Sequence, residues 1–190
     1  MLIVAGMSPA MAGNPVPSLR TGTTVWSIEA GAGSQDNIGI ETGETGLDLW
    51  LAGLRVGRLV TDAWGEGLLR GAVEIGLEAI FQRYTHPVSA SFQGLAAVGR
   101  FHGLGLGRGR VVPYLEALAA AGGTDLEVRE IDSAFTFWLA AGVGLSVFVT
   151  ESTAVYAGYR LVHVSNGNTD NPNRGVEAHT GLLGVSFFLQ

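Results

Sequence analysis

The sequence predicts an all-β protein, an eight-stranded antiparallel transmembrane β-barrel of the outer-membrane type. Apolar residues make up 47% of the 190 residues, and charged residues only 15%. No apolar run in the chain approaches the roughly 18 residues that a membrane-spanning helix needs. An apolar chain without such a helix is either an unusually apolar soluble fold or a transmembrane β-barrel, because only helices and closed barrels satisfy the backbone in lipid.

Eight strand-like segments have lengths comparable to a tilted membrane strand, which needs roughly 9–11 residues. We expect them at residues 23–33, 47–60, 69–82, 89–103, 110–121, 132–148, 153–165 and 176–189. An even number of strands brings both termini to one side of the membrane. The connections then alternate between long polar extracellular loops and shorter periplasmic turns. The expected loops lie near 34–46, 83–88, 122–131 and 166–175, and the expected turns near 61–68, 104–109 and 149–152.

The alternation within the segments indicates which face meets lipid. In the third segment Val73, Ile75 and Leu77 share one face, and Glu74 and Glu78 share the other. An eight-stranded interior is only just wide enough for side chains. Small and charged residues suit that interior, so the large apolar face belongs in lipid, and a soluble lipocalin-like carrier is disfavoured. The predicted interior charges are Arg55, Arg70, Glu74, Glu78, Arg100, Glu116 and Arg160.

The fourth and fifth segments alternate less cleanly than the others. Pro113 lies within the fifth, where its missing N–H removes one hydrogen bond of the ladder. We therefore expect a β-bulge or the start of a strand near Pro113.

Aromatic side chains are a further sign of a membrane barrel, because Trp and Tyr are enriched at both membrane–water interfaces. For any single aromatic residue, an ordinary strand-forming role is the alternative interpretation. The residues expected to form interfacial girdles are Trp26, Trp50, Tyr114, Trp138, Tyr156 and Tyr159.

The first residues of the chain have the character of an export signal. Residues 1–12 combine a short apolar segment with an Ala-Met-Ala ending that is typical of a signal cleavage site. The basic residues that normally precede the apolar segment are missing. We interpret residues 1–12 as the remnant of a truncated signal peptide and residues 13–190 as the barrel. An ordinary apolar N-terminus is the alternative.

Charge and cysteine content exclude several kinds of partner. The net charge is −6 and the chain has no Lys/Arg run, which argues against nucleic acid. Cysteine is absent, so neither a disulfide framework nor a cysteine metal site is available. We expect no cofactor and no bound metal.

The stretch from Leu161 to Glu177 begins as a strand, passes through a loop of Asn, Gly, Asp and Pro, and returns as a second strand. His163 and Ser165 share a face, and the antiparallel return brings Glu177 within reach of them. Arg160 lies on the other face of the same strand and belongs in the lumen. His163, Ser165 and Glu177 are therefore expected to face lipid. A hydroxyl, an imidazole and a carboxylate are the inventory of a Ser-His-acid hydrolase. A polar collar, in which these side chains lie just above the acyl region and hydrogen-bond to lipid head groups without catalysis, explains the same spacing equally well.

The same residues resemble a family signature. His163-Val-Ser-Asn-Gly, followed by Asn173-Arg-Gly-Val-Glu177, is similar to the signature of the lipid A 3-O-deacylase family, which comprises PagL-like outer-membrane enzymes. The resemblance implies that Ser165 is the nucleophile, His163 the general base and Glu177 the residue that orients the imidazole. These roles agree with the chemistry, since a serine hydroxyl needs an adjacent base to attack an ester.

The resemblance also implies that Asn166, Asn173 and Gly175 form the oxyanion hole or position the substrate. The implied protein is a serine esterase of the bacterial outer membrane that removes an ester-linked 3-hydroxyacyl chain from lipid A of lipopolysaccharide. Its partners would be lipid A, lipopolysaccharide and outer-membrane lipid. Whether the chain forms a homodimer stays open.

Two alternatives stay open as well. His179 shares the face of Glu177, so it could replace His163 as the base or join it in a zinc site, although nothing enforces a tetrahedral geometry. A non-catalytic small barrel could act as an adhesin or a structural anchor through its loops. Such a barrel has no need of Ser, His and Glu on one lipid-facing edge, so the triad favours the enzyme.

Overall fold

The computed structural model describes residues 19–37 and 44–190 and contains eight strands. They are β1 (Thr24–Gln35), β2 (Asp48–Leu59), β3 (Ala72–His86), β4 (Ala90–His102), β5 (Val111–Thr124), β6 (Phe135–Phe148), β7 (Thr153–Ser165) and β8 (Val176–Leu189). Each strand pairs antiparallel with its neighbours in sequence, and β1 pairs with β8 to close the barrel. The predicted all-β, eight-stranded fold is confirmed.

Two of the predicted features reach beyond the described residues. The proposed signal remnant at residues 1–12 lies outside them, and so do residues 38–43 of the first expected loop. No helix within residues 19–37 and 44–190 is long and apolar enough to cross a membrane.

The wall of the barrel alternates as the sequence predicts. In β6, Phe137, Leu139 and Val143 are exposed on the outer face, whereas Thr136 and Ala140 are buried inside. Strands β3 and β8 alternate in the same way. Because successive side chains of a strand point to opposite faces, the outer wall is mainly apolar, whereas the charged residues near the middle of the strands, such as Arg55, Glu78 and Arg160, lie in the lumen.

A buried network of arginines and glutamates fills the middle of the lumen. Arg160 Nη1 lies 2.5 Å from Glu29 Oε1, and Arg160 Nε lies 2.7 Å from Glu116 Oε1. Arg55 Nε donates a hydrogen bond to Glu78 Oε2 at 2.7 Å. Each of these side chains is at most 1% exposed. Burying a charge is unfavourable unless it is paired, so mutual neutralisation is what allows charged residues to fill this interior.

The network differs from the predicted one at two positions. Arg70 is exposed, so its predicted place in the lumen was wrong, because β3 begins at Ala72 and not at residue 69. Glu29, which was not in the predicted set, is 3% exposed and binds Arg160. The charges buried as predicted are Arg55, Glu74, Glu78, Arg100, Glu116 and Arg160.

Aromatic residues divide between the two faces of the wall. Those exposed on the outer face are Trp26, Trp50 and Tyr159. Trp138 is fully buried, and its Nε1 donates to Gln82 Oε1 at 3.0 Å. Tyr114 and Tyr156 are also buried in the lumen. The interfacial position predicted for Trp138, Tyr114 and Tyr156 was therefore wrong.

The two ends of the barrel carry different connections. The connections after β1, β3, β5 and β7 lie together at one end, which we call the loop end. Their described residues are 36–37, 44–47, 87–89, 125–134 and 166–175. The connection after β3 is shorter than the predicted loop because β3 continues to His86.

At the other end of the barrel, Pro113 is the third residue of β5 and pairs with Leu145 of β6. The predicted strand start near Pro113 is confirmed.

Candidate active site

The candidate site lies at the loop end, where β7 ends and β8 begins. The antiparallel register places His163 of β7 directly opposite Glu177 of β8. The His163 side chain is 41% exposed and the Glu177 side chain 28%. Both have the parity of the exposed residues Val155 and Leu183, so they lie on the outer, lipid-facing wall. The predicted convergence of these two residues is present in the structure.

His163 and Glu177 form the central contact of the site. His163 Nδ1 lies 3.4 Å from Glu177 Oε1. A carboxylate at Nδ1 favours the tautomer that carries its proton there, which leaves Nε2 as the basic nitrogen. This is the relation that an acid–histidine pair needs to prepare a general base.

Ser165 lies two residues beyond His163 on the same face of β7, at the last position of the strand. Phe137 of β6 is its partner in the register. Among the described residues, no hydrogen bond joins Ser165 Oγ to His163. Catalytic hydrogen bonds are often long or poorly aligned without substrate. The observation that relates Ser165 to His163 is therefore the face of β7 that they share.

Gly175 provides the space that the His163 ring occupies. A Cβ built on Gly175 would lie 2.8 Å from His163 Cε1, closer than carbon atoms approach without displacement. The backbone of Gly175 has φ +80°, in the left-handed region that favours glycine. Both observations give a physical reason for glycine at this position of the signature.

The loop 166–175 is organised by two asparagines. Asn166 is fully buried, and its Nδ2 donates to the carbonyls of Asp170 at 3.0 Å and Pro172 at 3.2 Å. Asn173 Oδ1 accepts from the Asn166 backbone N at 2.9 Å, and its Nδ2 donates to Asn168 Oδ1 at 2.9 Å. Asn166 and Asn173 thus hold the loop against the end of β7. To reach a developing oxyanion, the Asn166 amide would have to release one of its carbonyl partners.

His179, the alternative base, has different partners from His163. Its Nδ1 is hydrogen-bonded to Tyr159 Oη, and its Nε2 lies 3.8 Å from Asp36 Oδ2. Within the described part of the chain, no group of three or more His, Cys, Asp or Glu side chains could hold a metal ion. The geometry therefore pairs Glu177 with His163 and gives His179 a separate environment.

Buried polar residues behind the site were not anticipated from the sequence. Glu130 is 1% exposed, accepts from Thr45 N at 2.6 Å, and comes from the connection between β5 and β6. Asn37 lies just beyond β1 and bonds to the backbone of β8. These residues are far from the signature in sequence, so only the closure of the barrel by β1 and β8 reveals their proximity.

Comparison with known proteins agrees with this geometry. The family model described as lipid A 3-O-deacylase (PagL) matches residues 61–186, which is more than half of the chain and includes every predicted site residue. The chain belongs to the lipid A 3-O-deacylase (PagL) family. Among curated proteins, no sequence matches this chain.

Two solved structures show the same fold. The outer membrane enzyme PagL has a TM-score of 0.62 and 16% identity, covering 83% of this chain and 97% of that one. Neisserial surface protein A has a TM-score of 0.64 and 15% identity, covering 86% of this chain and 96% of that one. Membership of the PagL family, together with the closed barrel, identifies the chain as a bacterial outer-membrane protein.

Proposed function

We propose that this chain is a serine esterase that removes an ester-linked 3-hydroxyacyl chain from lipid A. Ser165 is the nucleophile, His163 the general base and Glu177 the residue that orients the imidazole. The observation that carries the proposal is the contact of 3.4 Å between His163 Nδ1 and Glu177 Oε1 on the lipid-facing wall, with Ser165 on the same face. Family membership supplies the substrate class.

The reaction proceeds through an acyl-enzyme. The Ser165 hydroxyl attacks the ester carbonyl carbon while His163 Nε2 takes the hydroxyl proton, and Glu177 stabilises the imidazolium that forms. The tetrahedral intermediate then expels the sugar oxygen, which receives that proton from His163. Water, deprotonated by His163, next hydrolyses the ester on Ser165 and releases the free hydroxy acid.

The position of the site suits a substrate that never leaves the bilayer. Leu139 is opposite His163 in the register and is 48% exposed, and Phe137 beside Ser165 is 41% exposed. Acyl chains of lipid A can therefore lie along the apolar wall while their ester reaches the polar group above. We propose that the loop end faces the cell exterior, where lipopolysaccharide is found.

The remaining predicted roles are indirect in this scheme. Gly175 makes room for the imidazole, and Asn173 supports Asn166 through the hydrogen bond to its backbone N. The contribution of Asn166 to an oxyanion hole stays a prediction, and so does a homodimer.

A second candidate is a non-catalytic small barrel that acts as an adhesin or a structural anchor. The observation that favours it is the likeness in fold to Neisserial surface protein A, which is as strong as the likeness to PagL. A barrel of this kind would use its loops for binding and would leave lipid A intact.

The decisive experiment is deacylation of lipid A by the refolded full chain, followed by mass spectrometry. Lipid A should lose the mass of one hydroxyacyl chain, with or without a chelator. Ser165→Ala and His163→Ala should each lower the rate by at least about 1,000-fold, and the double variant should be no slower, because each change disables the same step. Glu177→Gln should retain more activity than Ser165→Ala.

Folding is the control for these variants. Their side chains face outward, so each variant should show the heat-modifiable gel shift of a folded barrel. Undiminished turnover in Ser165→Ala would end the serine-esterase proposal. Intact lipid A after incubation with the folded wild-type chain would favour the adhesin or anchor.

A further inference from the structure

The Asn37 side chain holds the backbone of β8 beside the candidate site. Asn37 is 6% exposed and follows the end of β1 at Gln35. Its Oδ1 accepts a hydrogen bond from the Glu177 backbone N at 2.7 Å, and its Nδ2 donates to the Gly175 carbonyl at 3.3 Å. One carboxamide therefore bridges the two residues that flank Val176.

These bonds lie at the end of the ladder between β1 and β8. In an antiparallel sheet, the two residues of a hydrogen-bonded pair exchange two N–H···O bonds. Asp36 N donates to the Glu177 carbonyl at 3.0 Å, as such a pair requires. The Glu177 N–H donates to Asn37 Oδ1. The Asn37 side chain therefore binds β8 just beyond Gln35, the last residue of β1.

Other groups hold the Asn37 carboxamide in this orientation. Gln35 Nε2 also donates to Asn37 Oδ1, at 3.2 Å, and the Asn37 backbone N donates to Glu44 Oε2 at 3.0 Å. Two donors at Oδ1 fix which end of the amide carries the oxygen. Nδ2 is therefore the atom that faces the Gly175 carbonyl.

The two residues that Asn37 binds both lie beside His163. Glu177 Oε1 lies 3.4 Å from His163 Nδ1. Gly175 lies so close to the imidazole that an added Cβ would be 2.8 Å from His163 Cε1. A shift of the backbone at Gly175 and Glu177 would therefore move both supports of the ring together.

We propose that Asn37 is a positioning residue for the deacylation reaction, which acts by holding Gly175 and Glu177 against the imidazole of His163. This inference rests on the proposed function. Asn37 is buried and acts through Gly175 and Glu177, so it does not touch the substrate.

The test is the kinetics of Asn37 variants on lipid A. Asn37→Ala should lower kcat about 10- to 100-fold, because a displacement of about 1 Å in a catalytic group has effects of this size. KM should change by less than about twofold, because the acyl-binding wall is unaltered. Asn37→Asp keeps the acceptor for Glu177 N but lacks the donor to the Gly175 carbonyl, so its kcat should lie between those of Asn37→Ala and the wild type.

A double-variant cycle separates positioning from general stabilisation. In the Glu177→Gln background, Asn37→Ala should lower kcat by a smaller factor than it does in the wild-type background, because part of its effect acts through the Glu177 carboxylate. Gln82→Leu is the matched control, since Gln82 is a buried amide bound to Trp138. At equal amounts of folded barrel, it should keep the kcat and KM of the wild type.

Two outcomes would overturn the positioning role of Asn37. One is a wild-type kcat in Asn37→Ala, and the other is a loss in Asn37→Ala that multiplies in full with the loss in Glu177→Gln. Ser165→Ala in the same assay separates this failure from failure of the proposed function. An inactive Ser165→Ala retains the proposed function whatever Asn37→Ala does, and a fully active one overturns both.

Discussion

The lumen and the lipid-facing site both contain charged residues within the barrel wall, but their surroundings differ. Arg160 in the lumen binds Glu29 and Glu116, and none of these side chains is more than 1% exposed. On the outer wall, the His163 and Glu177 side chains are 41% and 28% exposed and meet at 3.4 Å. Arg55 and Arg160 in the lumen each lie within ion-pair distance of three glutamates, whereas the outer residues remain accessible from the membrane.

This difference separates residues that support the fold from residues that are available for chemistry. Polar groups on the lipid face of a barrel are unfavourable, and more so with depth. A hydroxyl, an imidazole and a carboxylate on that face therefore need a reason other than packing. The arginines and glutamates of the lumen instead occupy the interior of the barrel and are paired with one another there. The comparison predicts that changes in the lumen affect stability and changes on the wall affect activity.

The largest effect on stability is expected from Arg160→Met in the lumen. Removal of the guanidinium leaves Glu29 and Glu116 with less compensation, and breaking a buried ion pair typically lowers the free energy of unfolding by about 3–5 kcal/mol. Denaturant unfolding in detergent micelles, followed by tryptophan fluorescence, would measure the change. Glu177→Gln on the wall should alter the free energy of unfolding by less than about 0.5 kcal/mol.

The contrast fails if Glu177→Gln destabilises the barrel as much as Arg160→Met does. The outer pair would then be part of the framework, and the polar-collar interpretation of the site would gain weight. Deacylation by folded Arg160→Met at the wild-type rate would support the division between the two regions.

The strand pattern allowed most of the fold to be predicted, because the alternation of side chains is local. The errors arose where the chemical type of a residue was given more weight than its position in the inward–outward alternation of the strand. Trp138 has the parity of Ala140 and Tyr156 that of Arg160, so the alternation itself assigns both to the lumen. Their aromatic character suggested the interface, and that was wrong. Arg70 was misplaced because the start of a strand is not marked by its alternation.

Within the candidate site, the signature predicted that His163 and Glu177 converge, but it did not indicate the residues that support them. His163 and Glu177 lie on neighbouring strands joined by one loop, so their pairing follows from local register. Asn37 and Glu130 reach the same region from β1 and from the connection before β6. Their positions depend on closure of the sheet and on the paths of loops, which no local pattern encodes.

A smaller effect, on activity, is expected from Gly175→Ala. The added Cβ would lie 2.8 Å from His163 Cε1 and push the ring from Glu177, so the deacylation rate should fall about 10- to 100-fold. Gly109→Ala is the matched control, because Gly109 also has a positive φ, of +58°, but a Cβ added there would have no neighbouring atom within 4 Å. Gly109→Ala should share the backbone strain and keep the wild-type rate. Equal rates in the two variants would show that Gly175 does not position His163.

The smallest effect is expected from His179→Ala, which sharpens the comparison within the wall itself. His179 lies on the same face as Glu177, but its partners are Tyr159 and Asp36, whereas Glu177 is paired with His163. Loss of its ring should change the deacylation rate by less than about twofold, because no proton in the proposed reaction passes through it. Tyr159→Phe, which removes only the hydroxyl partner, should behave in the same way. Mass spectrometry of lipid A at equal amounts of folded barrel would compare both variants with His163→Ala. Activity lost in His179→Ala but kept in His163→Ala would make His179 the base, and the contact between His163 and Glu177 would then be structural.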